Sequence, residues 1–81
     1  MFLRGQVIKS TAGRDKDYLM AVTASDEKYV YVCDGKERRL NKPKRKNPSH
    51  VTETIWTLNE DQMHSDRRLR KALNELEYNN E

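Results

Sequence analysis

The 81-residue chain predicts a mainly β protein, a small five-stranded barrel closed off by a C-terminal α-helix. Three observations lead there. Short apolar and β-branched runs are separated by Gly-, Asp-, Ser- and Pro-containing turns. The hydrophobic period changes from strand-like to helix-like after about residue 58. The apolar residues, 35% of the chain against 36% charged, are concentrated in these runs, which argues for a folded chain at a composition otherwise lean enough for disorder. Residues 1–58 are expected to form the barrel and 59–81 a helical extension. At this length the core is thin, with only about 60–65% of the unfolded chain's surface buried.

The first strand is read over Leu3 to Ser10, centred on Val7-Ile8 and bounded by Ser10-Thr11-Ala12-Gly13. Gly13-Arg14-Asp15-Lys16-Asp17 is polar and without periodicity, hence a loop. Tyr18 to Ala24 is an apolar run of strand length, turned by Ser25-Asp26-Glu27-Lys28. Tyr29-Val30-Tyr31-Val32-Cys33 follows, rich in β-branched and aromatic residues. Asp34-Gly35 predicts a type I′ hairpin, and Arg38-Arg39-Leu40 the short strand after it. Pro43 and Pro48 exclude a helix interior or a central strand between Asn41 and Pro48. Val51 to Thr57 is the last strand. Asn59 with Gln62 forms one possible helix start and Ser65-Asp66 a second. Leu69, Ala72, Leu73 and Leu76 then share one helical face, ending near Tyr78-Asn79-Asn80. That stripe is expected to pack on an open end of the barrel, with a protein partner as the other reading.

Several functions are disfavoured. No apolar run approaches the ~20 residues of a membrane span, and Met1-Phe2-Leu3-Arg4 is too short and too soon charged for a signal peptide. Cys33 is the single cysteine, so no internal disulfide forms and a reducing cytoplasm is expected. His50 and His64 stand apart, with no metal-ligand spacing. Ser10, Thr11, Cys33 and the carboxylates give no nucleophile–base or paired-acid set, so no catalytic residue, cofactor or metal is expected.

Charge is the positive signal. Residues 1–57 hold 12 Lys/Arg against 7 Asp/Glu, and residues 58–81 hold 4 against 6. Within the first part, Lys36, Arg38, Arg39, Lys42, Lys44, Arg45 and Lys46 face a single acid, Glu37. Exposed charges act over a Debye length of ~8 Å at physiological salt, so local density attracts a polyanion more than net charge does. The prolines are expected to hold this run extended, its cations at fixed spacing. Each phosphate contact contributes about −0.7 to −0.9 to the log–log salt slope. Arg14 and Lys16 beside Gly13 add two cations on the first loop, with Asp15 and Asp17 as partial neutralisers. Tyr18, Tyr29, Tyr31 and Trp56 could stack on bases, yet a domain this small is expected to use them in its core. Tyr29 and Tyr31 share one strand face, so both are inward or both available.

Counted from Leu3, Gly13 stands eleventh, after the alternating Leu3-Arg4-Gly5-Gln6-Val7-Ile8-Lys9-Ser10. With Ala12-Gly13-Arg14-Asp15-Lys16, then Asp34-Gly35-Lys36, then Asn41-Lys42-Pro43-Lys44-Arg45-Lys46-Asn47-Pro48 and His50, residues 3 to 51 resemble the KOW-motif RNA-binding proteins. The small bacterial members are similar to the archaeal and eukaryotic large-subunit ribosomal protein numbered fourteen. The resemblance implies an SH3-like barrel and contacts to ribosomal or other structured RNA. It adds Lys9, Gly13 and His50 to Arg14, Lys16 and the seven cations of 36–46 as RNA-binding residues. The chain departs from the pattern at Asp17, where relatives often carry a second glycine. The competing reading is an SH3-like protein-interaction module.

Overall fold

The computed structural model describes residues 2–79. Met1 and Asn80, at the start considered for a leader and near the expected helix end, lie outside the described residues. Five strands, β1 (Gln6–Ser10), β2 (Leu19–Ser25), β3 (Val30–Cys33), β4 (Lys44–Lys46) and β5 (Val51–Thr57), precede one helix, α1 (Asp66–Asn79). A single 3-10 turn, Pro48–His50, leads into β5. The strands form one antiparallel sheet in the order β4-β3-β2-β1-β5. Among the described residues no ladder joins β4 to β5, so the sheet is open. No helix among these residues is long and apolar enough to cross a membrane.

The middle of β2 is buried on both faces. On one side Val7, Ala21 and Cys33 pack with Leu58, Met63, Leu69, Ala72 and Leu73, so the expected stripe of α1 lies on the sheet. Each large apolar side chain buried this way contributes about 1.5–3 kcal/mol. On the other side Ile8, Met20, Val22, Val30 and Val32 cluster together. Among the described residues no helix packs on that cluster, which Phe2 and Val51 flank. It is buried because the sheet bends over it, and the register breaks between Gln6 and Ile8 and between Val22 and Ala24 supply the extra twist.

Three expectations are corrected. The fourth strand lies at Lys44–Lys46, not at Arg38-Arg39-Leu40. The backbone N–H of Leu40 donates to the Asp66 carboxylate at 2.7 Å instead of joining a ladder. Pro43 just before β4 is harmless, because β4 is an edge strand. The type I′ turn at Asp34-Gly35 does not form. Gly35 has φ +79°, but Asp34 keeps a negative φ. The Asp34 carboxylate instead accepts the N–H groups of Lys36 and Arg38, both at 2.9 Å, and folds residues 34–38 into a compact loop. The tyrosines, finally, are not core residues. Val30 and Val32 take the buried face, leaving Tyr29 and Tyr31 half-buried opposite them and Tyr18 53% exposed. Trp56 does pack against the helix-side cluster.

The helix start resolves between its two candidates. Asn59 and Gln62 exchange reciprocal bonds of 2.8 and 2.9 Å, yet they close only a turn. Ser65 caps α1 itself, its hydroxyl oxygen accepting the N–H of Arg68 at 3.2 Å.

Candidate nucleic-acid interface

The loop between β1 and β2 is organised by Asp15. Gly13 (φ +88°) and Asp17 (φ +73°) both occupy the left-handed region, and between them the chain turns back on itself. The N–H of Asp17 donates to the Ser10 carbonyl at 2.7 Å, and that of Tyr18 to the Asp15 carbonyl at 3.0 Å. The Asp15 carboxylate accepts from Ser10 Oγ at 2.7 Å, Lys46 Nζ at 2.9 Å and Lys44 Nζ at 3.1 Å. Burial pushes this carboxyl up, but the hydrogen bonds from Lys46, Ser10 and Lys44 and the Lys46 charge outweigh it. The group stays well below the usual carboxylate range.

Register explains why two lysines turn inward. Lys46 pairs with Val30 and Lys44 with Val32, so both share the face that the sheet bends over. The Lys46 side chain is 5% exposed, and its ammonium also donates to the Ala12 carbonyl at 3.1 Å. Lys46 is therefore a buried structural cation, which corrects its place among the expected RNA contacts. Lys44 is half-buried and shares the same carboxylate. Arg45, between them, points to the other face and lies over the Tyr29 ring, 4.5 Å from its centroid. Tyr31 Oη donates to Asp26 at 3.0 Å on that face, which raises the tyrosine's pKa.

The expected extended strip of cations is extended only at Lys44–Lys46, in β4. From Asp34 to Lys42 the chain runs through successive turns, the N–H of Lys42 donating to the Arg39 carbonyl at 2.9 Å. This loop is pinned to α1. Gly35 is buried against the helix start, where an added Cβ would collide with the Asp66 carbonyl oxygen. Arg70 Nη1 reaches the Gly35 carbonyl at 3.4 Å.

These arrangements bound an open cleft of about 640 Å³ between the two loops and α1. Its cations are Arg14, Lys36, Arg38, Lys44 and Arg70. Its acids are Asp15, Asp34, Glu37 and Glu77, of which Asp15 and Asp34 are engaged by the bonds just described. Tyr18 lies on its wall, and Leu19, Met20 and Leu73 line its apolar part. Four of the sequence-predicted site residues thus meet in one place. Lys9, Lys16, Arg39, Lys42, Arg45 and His50 are exposed but do not line the cleft, nor does Gly13. From the helix, the sequence offers Arg70, beside Arg67, Arg68 and Lys71, as a cation that extends the basic footprint or serves helix solubility. Asn74 and Glu77 were missed, although with Arg70 they follow the i, i+4, i+7 spacing of one helix face, next to Leu73 in the core stripe.

Other chemistry has little foothold. Cys33 is fully buried, and burial, with Asp34 and Asp66 adding negative charge nearby, pushes its thiol up to about 12. It is a poor nucleophile in that state. Among the described residues no three His, Cys, Asp or Glu side chains gather as a metal site requires. What the cleft offers is a lining of five cations, four acids and one exposed aromatic ring, and cations with an aromatic ring are the groups that bind phosphates and bases. No family model matches the chain, and no curated protein matches it as a relative.

Proposed function

We propose that this protein is a non-catalytic RNA-binding module that holds ribosomal or other structured RNA in the cleft between its two basic loops and helix. The observation that carries the reading is that Arg14, Lys36, Arg38, Lys44 and Arg70 line one cleft together with exposed Tyr18. Five cations face four carboxylates in the cleft, and two of those carboxylates are already engaged by hydrogen bonds, so the balance is positive and favours an anionic ligand. RNA rather than DNA rests on the KOW resemblance. In this reading the bent sheet is an SH3-like barrel of KOW type and the protein works in the cytoplasm beside the translation machinery. Asp17 supports the resemblance: where relatives often carry glycine, this chain places a left-handed aspartate (φ +73°), a conformation that Asp tolerates better than most residues. The loop therefore keeps a backbone of the kind that a second glycine permits.

Lys36 and Arg38 give the clean test, because both side chains are exposed, whereas reversing Lys44 would also break its bond to Asp15. Lys36→Glu with Arg38→Glu is expected to keep the fold and to weaken RNA binding at least ~10-fold at low salt. It should also reduce the salt slope by about 1.5, two phosphate contacts' worth. Fluorescence anisotropy with labelled RNA across a potassium chloride series measures both. An unchanged affinity would sink the RNA reading and leave the cleft to a polypeptide ligand.

A further inference from the structure

We propose that the cleft is a subsite for a single unpaired nucleotide, with its base stacked on Tyr18 and its flanking phosphates held by Lys36, Arg38 and Arg14. This deepens the RNA reading and rests on it.

The lining is mixed in a way that a bare phosphate track does not need. Tyr18 is 53% exposed although it directly precedes β2, in which Met20, Ala21 and Val22 form the buried centre of the sheet. Leu19, Met20 and Leu73 give an apolar part to a cleft otherwise rimmed by charge. Ribose and base carry an apolar face of this kind, and inorganic phosphate does not. A volume of about 640 Å³ falls among sites that hold one small organic ligand. Asn74, Glu37 and Glu77 add an amide and two carboxylates, groups that read the donor and acceptor edges of bases.

Strandedness follows from the ring. In a duplex each base has both faces covered by its neighbours, so only an unpaired base can offer a face to Tyr18. A fully paired helix could touch the rim cations through its phosphates, but it would leave the tyrosine idle.

The test compares a labelled single-stranded RNA with a blunt, fully paired duplex of equal length. Tyr18→Leu removes the ring from an exposed position, and circular dichroism checks that the fold persists. It is expected to weaken single-strand binding by about 5- to 150-fold with no change in salt slope. Duplex binding should not change, and Tyr18→Phe should bind the single strand like the wild type. Full single-strand affinity in Tyr18→Leu would overturn the subsite while the RNA reading stood on Lys36 and Arg38. So would an equal loss for both RNAs, or a loss in Tyr18→Phe, since neither reports stacking. If the unaltered protein bound neither RNA, the RNA reading itself would fall.

Discussion

Asp15→Asn is expected to lower the stability of the protein by about 3 kcal/mol, read as a reduced midpoint in urea with an unchanged slope. Asparagine preserves the shape and can still accept from Ser10 Oγ, so the loss isolates the charge. Without it the ammonium of Lys46, with only 5% of its side chain exposed, keeps only neutral acceptors, the Ala12 carbonyl and the amide oxygen, and Lys44 loses the acceptor it had at Oδ2. A buried cation left without its counterion is costly, and here a second cation, Lys44, stands beside it. The same variant should change the acid limb of the stability curve. The folded-state pKa of Asp15 is depressed, so its contribution is complete above the unfolded value of about 3.9. It is lost as pH falls from about 4 toward the much lower folded-state value. The unaltered protein should therefore lose stability steeply below about pH 4, and Asp15→Asn less steeply. Parallel acid limbs for the two proteins would show that the carboxylate does not hold these lysines as described.

Gly35→Ala is the second large effect, expected to cost about 3 kcal/mol and to weaken RNA binding along with stability. Two penalties combine. The left-handed backbone (φ +79°) disfavours any Cβ by about 1 kcal/mol, and the new methyl meets the carbonyl oxygen of Asp66 in the first turn of α1. Relief requires the helix or the loop to move, which disturbs the Leu40–Asp66 bond and the cleft together. Gly13→Ala is the control. Its φ of +88° is equally left-handed, but a methyl there meets nothing closer than Asp15 Oδ1 at 3.6 Å, so only the backbone penalty applies. Equal losses for the two variants in urea would mean that the helix does not seat on Gly35.

What the sequence made legible, and what it hid, follows from how far each feature depends on distant residues. β2, β3, β5 and α1 show themselves because strand-length apolar runs, turn residues and a helical stripe are local signals. β4 is hidden. Lys-Arg-Lys has no apolar alternation, and it becomes a strand whose lysines turn inward only because Asp15, about thirty residues earlier, supplies the counterion. Asp34-Gly35 misleads for a related reason: the local turn preference loses to the close approach of a helix that begins thirty residues later. The tyrosines follow the expected strand period, but the choice of face went to the valines, which suit the crowded side of a bent sheet. Half of the cleft was visible as charge density, in Arg14, Lys36, Arg38 and Lys44. On its other wall Asn74 and Glu77 were not, and nothing singled out Arg70 among the four helix cations, because the direction of a helix face depends on how the helix docks.

The two sides of the sheet end differently. β4 is three residues long, wholly cationic and preceded by a proline, so a strand from another molecule finds few amides to join there and a charge penalty for trying. β5 has seven residues with one formal charge, Glu53, and carries the almost fully exposed Ile55. One rim resists lateral growth and the other permits it. Any edge-to-edge pairing of two such sheets would have to use β5, and the pair would then present only its two β4 rims.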